Sequence, residues 1–138
     1  MNKKLKILLI EDDIIEIMKV HRTMHELSLD HQITESKNGE EALEFLHDKS
    51  LELPDLIFVD LHMPKMNGFE FLEIFKNNPS LKHIPAIVFT TSANQNDLKE
   101  SYKIGIAGYI IKPLKYEDYV LKLKSVLEYW SSNELIKS

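Results

Sequence analysis

Five short apolar runs punctuate the chain, at residues 7–10, 33–35, 56–59, 86–90 and 109–111. Between them, apolar positions recur three and four residues apart. Ile17, Val20, Met24 and Leu27 form one such set; Ala42, Leu43 and Leu46 a second; Phe69, Leu72 and Phe75 a third; Leu98 and Tyr102 a fourth. The last is the longest: Tyr116, Tyr119, Val120, Leu123, Val126, Leu127 and Trp130 make one continuous helical stripe. Strand and helix alternating five times predict a parallel sheet with helices on both faces. The runs Ile-Leu-Leu-Ile, Leu-Ile-Phe-Val and Ala-Ile-Val-Phe are apolar throughout rather than alternating, as strands buried on both faces are. Pro54, Pro64, Pro79, Pro85 and Pro113 fall between or at the edges of these elements. The pattern predicts a single α/β domain over residues 1–138, a doubly wound (βα)5 five-stranded parallel sheet. Its core spans about 5–130, with a short C-terminal tail at 131–138.

Composition narrows the function. Of 138 residues, 43% are hydrophobic and 28% charged, enough apolar material for one real core. Seventeen basic against 22 acidic side chains give a formal net charge of −5, a poor electrostatic match for nucleic acid or an anionic membrane. The chain has no cysteine, so it has no disulfide framework, thiolate metal site or thiol nucleophile. The apolar stretch behind the basic N-terminus is only 5–10, too short for a signal peptide or a membrane span. The expectation is a cytoplasmic protein with neither nucleic acid nor membrane as partner.

Functional groups in open parallel sheets gather beyond the carboxyl ends of the strands. Glu11, Asp12 and Asp13 follow the first run, and Asp60-Leu61-His62-Met63-Pro64 follows the third. Thr90, Thr91 and Ser92 close the fourth, and Lys112-Pro113 follows the fifth. If the first and third strands are neighbours, Asp12 and Asp60 stand side by side, and such carboxylates ionise together only around a cation. All-oxygen donors suit Mg²⁺. With the Lys112 ammonium and the Thr90 hydroxyl, the set suits phosphoryl transfer to an aspartate. Each piece has an ordinary reading on its own: acids stabilise helix starts, Asp60 could cap a turn, and Lys-Pro is uninformative. The joint order on one rim favours the chemistry.

On these residues the chain resembles the receiver domain of bacterial two-component response regulators. The resemblance covers about 5–130 and rests on Ile-Leu-Leu-Ile-Glu-Asp-Asp (7–13), Asp-Leu-Ile-Phe-Val-Asp-Leu-His-Met-Pro-Lys-Met-Asn-Gly (55–68), Ile-Val-Phe-Thr-Thr (87–91) and Gly-Tyr-Ile-Ile-Lys-Pro (108–113). It implies a flavodoxin-like receiver fold in which Asp60 accepts a phosphoryl group from a histidine kinase or phosphotransfer protein. Mg²⁺ would be held by Asp12, Asp60 and the backbone carbonyl of His62, with Glu11 acting mainly through water. Lys112 would pair with the phosphorylated carboxylate, and its peptide bond to Pro113 would be cis. Thr90 and Tyr109 would be the switch residues, and the signal would pass to an unidentified protein target or onward by phosphorelay. Asp13 is read as a helix-start acid outside the metal set.

Finer features, the segment 47–54, the Thr-Thr-Ser run and the aromatic end Tyr129-Trp130, are similar to the small receivers that partner phytochrome kinases. That likeness implies a homodimer through the last helix region, with Tyr116, Tyr119 and Trp130 as its apolar patch. The competing enzyme class is a phosphatase with an aspartyl-phosphate intermediate, which needs a second acid where His62 stands. A structural module with a dead site would lack one of the site residues. His21 and His25, four apart, read as a solvated helix face, because two ligands do not complete a metal site. Gly105-Ile106-Ala107-Gly108 matches no nucleotide-binding loop.

Overall fold

The computed structural model describes residues 3–136. Its order is β1 (Lys6–Ile10), α1 (Ile14–Glu26), β2 (Gln32–Ser36), α2 (Gly39–His47), β3 (Leu56–Val59), α3 (Gly68–Lys76), β4 (Ala86–Thr90), α4 (Gln95–Ile104), β5 (Gly108–Ile111) and α5 (Tyr116–Ser131). All pairings are parallel and the strand order is β2-β1-β3-β4-β5. The (βα)5 doubly wound sheet predicted above is therefore the architecture, with small shifts at strand ends. β2 runs one residue beyond its apolar stretch at each end, because edge pairing with β1 continues through Gln32 and Ser36.

Alternate strand residues enter two separate cores. Leu8, Ile10, Ile57, Val59, Ala86 and Val88 face the layer that includes Ala42 and Leu46 of α2 and Phe71, Leu72 and Phe75 of α3. Ile7, Leu9, Leu56, Phe58, Ile87 and Phe89 face α1 and α5 through Val20, Met24, Tyr119, Leu123 and Leu127. Helix starts are capped in ways visible in the chain. The carboxylate of Asp13 accepts from the backbone N–H of Ile15, and Asn38 and Asn94 do the same work for α2 and α4. Asn67 and Glu70 form a reciprocal capping box on α3. Asp13 is thus a helix cap, as expected.

The final stripe needs a correction. Tyr119 is wholly buried, stacks on Tyr116 and packs at a tilt against Phe89, so it belongs to the core and is withheld from any dimer patch. The exposed apolar residues of α5 are Leu121 and Tyr129, which flank the stripe. At the amino end of the sheet the backbone N–H of Lys3 donates to the Ser131 carbonyl at 3.1 Å, and its ammonium reaches Asn133 and Glu134.

Candidate functional site

β1 and β3 are neighbours in a register that sets Ile10 opposite Val59. The Asp60 N–H donates to the Ile10 carbonyl at 3.0 Å, and the Glu11 N–H to Ser36 at 2.9 Å, so both acids leave the sheet at the same level. This is where the strand order reverses direction, the place where α/β sheets open a crevice. Carboxylate oxygens of Glu11, Asp12 and Asp60 lie within 4.8 Å of one another, with Glu11 buried, Asp60 half-buried and Asp12 exposed. Three hard oxygen donors open on one side fit a divalent cation of the Mg²⁺ type.

On the inner side of this cluster sits Lys112. Its N–H donates to Thr90 at 2.7 Å, which holds the β5 end against β4. The buried ammonium donates to Glu11 Oε1 at 2.6 Å and lies 3.1 Å from Glu16 Oε1. Burial works against the ammonium, but the carboxylates of Glu11, Asp60 and Glu16 outweigh it and raise the Lys112 pKa. Burial pushes the Glu11 carboxyl up to about 6 against the pull of Lys112. Burial also raises Asp60, opposed by the Lys112 charge and the Thr90 hydroxyl. Among the described residues no peptide bond is cis, so the cis Lys112–Pro113 bond expected from the resemblance is not present.

The outer rim is a hydrogen-bonded chain. Thr90 is fully buried, and its Oγ1 accepts from the Ser92 N–H at 3.2 Å. Ser92 Oγ donates to Asp97 at 2.7 Å, and the His62 imidazole lies 3.3 Å from the same carboxylate oxygen. Tyr109, half-buried, donates its hydroxyl to the Ser92 carbonyl at 3.0 Å. The loop after β3 thereby touches the start of α4, and β5 touches the loop between them.

The chain matches the response regulator receiver domain family over residues 7–124. It belongs to that family. The probable methanogenesis regulatory protein FilR2 of Methanothrix harundinacea is 35% identical over 127 residues, covering 90% of this chain and 82% of that one. Among solved structures, the phosphorylated cyanobacterial phytochrome response regulator RcpA superposes with a TM-score of 0.89 at 31% identity, over 96% of this chain and 99% of that one. The Mn²⁺-bound form of response regulator Rcp1 gives 0.87 at 30% identity, over 97% and 99%. The clustered Glu11, Asp12 and Asp60 at the sheet's carboxyl edge form an acidic site typical of phospho-aspartate receiver domains. Among the described residues no helix is long and apolar enough to cross a membrane.

Two residues of this receiver site escape a reading of the chain alone. Glu16 sits in the first turn of α1, where acids are common for the helix dipole, so its contact with Lys112 has no signature. Asp97 has the same disguise in α4.

Proposed function

We propose that Asp60 is the phosphoacceptor of a stand-alone receiver, charged by a histidine kinase or phosphotransfer protein. In the transfer an Asp60 carboxylate oxygen attacks the phosphorus of the donor's phosphohistidine. The phosphorus–nitrogen bond breaks, its electron pair stays with the imidazole, and an acyl phosphate remains on Asp60. Glu11, Asp12, Asp60 and the His62 carbonyl would hold Mg²⁺, which supplies positive charge against the phosphoryl oxygens. Lys112 pairs with the phosphorylated carboxylate, and Thr90 gives its hydroxyl to a phosphoryl oxygen. Because the Thr90 hydroxyl now accepts from Ser92, that move loosens the loop whose carbonyl Tyr109 holds. A local charge becomes a changed face around α4 and β5.

The observation that carries the reading is the grouping of three carboxylates around one opening with a buried ammonium behind them. Ile14, Ile15 and Met18 on α1 and the fully exposed Leu114 after Lys112 line the same rim, an apolar landing for the donor protein. RcpA was crystallised phosphorylated and Rcp1 with Mn²⁺, which supports both the modification and the cation. RcpA's phytochrome association makes a phytochrome-type kinase the first donor class to try, in the cytoplasm. The stand-alone assignment is supported by relatives matched over most of their own length. The output is a protein contact or a phosphorelay step, with a homodimer through Leu121, Tyr129 and Trp130 as one form of it. The phosphatase alternative lacks its second acid, because His62 fills that position and bonds Asp97.

Intact mass after incubation with acetyl phosphate tests the assignment, with and without Mg²⁺, on wild type and Asp60→Asn. A Mg²⁺-dependent gain of one phosphoryl group that disappears in the variant is expected. A gain that survives Asp60→Asn places the acceptor elsewhere.

A further inference from the structure

Lys112 pairs with Glu11 and Glu16 rather than with Asp60, whose carboxylate still feels its charge. Its ammonium lies on the α1 side of the site, against Glu11 and Glu16, and no ion pair joins it to Asp60 among the described residues. The Glu16 side chain is mostly withdrawn from water, 19% exposed, and its Oε1 finds no well-directed hydrogen-bond donor. Charge attraction to Lys112 is therefore what holds that oxygen. The other oxygen, Oε2, is 3.3 Å from the Lys19 ammonium, which in turn stands 4.5 Å above the ring of buried Tyr119. Two carboxylates and two ammonium groups thus share one cluster, buried at Glu11 and Lys112 and partly exposed at Glu16 and Lys19.

We infer that Glu16 is a positioning residue that competes with the phosphoryl group on Asp60 for the Lys112 ammonium, and that Lys19 weakens this competition. The inference rests on the phosphoacceptor reading of Asp60. A phosphoryl group carries about −1.5 to −2 charges in place of the single charge of the carboxylate it esterifies, and sets them farther out into the site. Drawing Lys112 toward it means parting the ammonium from a carboxylate in a region where water screens little. Lys19 softens that parting, because Glu16 keeps a cation at 3.3 Å after Lys112 departs. Removing the Glu16 charge therefore releases Lys112 toward Asp60. Removing the Lys19 charge leaves Lys112 as Glu16's one close cation and tightens the hold.

The test uses beryllofluoride as the phosphoryl mimic, titrated in saturating Mg²⁺ and followed by ¹⁹F NMR, with the thermal midpoint recorded for each variant. Glu16→Gln is expected to bind it about five-fold more tightly than wild type, and Lys19→Met about three-fold more weakly. Opposite signs separate positioning from scaffolding, since loss of either partner of a structural pair weakens binding and lowers the midpoint together. Glu16→Asp keeps the charge beside Lys19 and draws it back from Lys112. It is expected to shift in the same direction as Glu16→Gln, which covers the case where the first variant does not fold. In a Lys112→Met background the Glu16→Gln gain is expected to vanish. A gain that persists there reflects a general field effect and overturns the inference, as does equal or weaker binding by Glu16→Gln in a wild type that binds normally. A wild type that neither binds beryllofluoride nor takes a phosphoryl group from acetyl phosphate overturns the Asp60 reading itself.

Discussion

At Gly68 a β carbon would stand 2.4 Å from the Asp60 carbonyl oxygen and 2.8 Å from the Leu61 α carbon, both main-chain atoms. The start of α3 packs that closely on the strand end that presents the acceptor, and the Gly68 N–H donates to Leu61 at 3.0 Å. Gly68→Ala is expected to cost about 3 kcal/mol, the upper end for overpacking, and to slow phosphorylation by displacing Asp60. At Gly39 the two nearest atoms belong to the Met66 side chain, which can give way, but the Phe71 β carbon stands at 3.0 Å, so Gly39→Ala is expected to cost about 2 kcal/mol, less than Gly68→Ala. Urea midpoints of the two variants at unchanged slope check the ranking. Protonation acts at the same scale. The folded protein holds the Glu11 proton more tightly than the unfolded chain, with its pKa moved from 4.5 to about 6. Its contribution to stability is full below about 4.5 and is lost as pH rises through about 6, and Asp60 acts in the same direction. A cation needs the ionised forms, so Mg²⁺ is expected to raise the thermal midpoint at pH 7.5 and to leave it nearly unchanged at pH 5. Calorimetric scans at the two pH values decide it.

Elements differ in how firmly they are held. α3 buries Gly68, Phe71, Leu72 and Phe75, whereas α4 buries Ser101 alone and carries Tyr102 outward. Hydrogen exchange is therefore expected to be faster in α4 than in α3, and equal protection would contradict this ranking. The same contrast explains what could be read in advance. β1, β3 and β4 are buried on both faces, so their apolar runs mark them almost to the residue. β2 is an edge strand in which Ser36 alone is buried, and only its middle carries the signal. For α5 the 3.6-residue pattern identified the helix, but a stripe that wide does not say which members turn inward. Packing against Phe89 chose Tyr119. The gathering of Glu11, Asp12, Asp60 and Lys112 on one rim was legible because strand ends converge by rule. Glu16 and Asp97 were not, because their partners Lys112 and His62 meet them only after the helices dock.

The whole molecule is acidic, and among its exposed apolar side chains, which also include Leu51, Ile74, Tyr102, Ile111 and Ile136, two groups bear on partners. One is the site rim at Ile14, Ile15, Met18 and Leu114; the other is the far helix at Leu121 and Tyr129. With Tyr119 in the core, Leu121 and Tyr129 are the exposed apolar residues of α5 on which the proposed homodimer can be tested. Leu121→Glu combined with Tyr129→Glu is expected to leave phosphorylation intact and to abolish any dimer that sedimentation velocity detects in the wild type. A dimer that survives both changes lies elsewhere.

The clasp between Lys3 and residues 131–134 has a consequence for how the chain can be cut. Lys3 and residues 131–134 meet at the amino edge of the sheet, opposite the acids, and the exposed turn at Lys49, Ser50 and Leu51 lies outside every helix and strand. A circular permutant that joins the ends with a short glycine linker and opens the chain at Ser50 keeps all five strands in place. It is expected to fold and to accept a phosphoryl group at the rate of the linear chain. Such a permutant would carry new ends beside β3, a point where a reporter could be fused without touching either apolar surface.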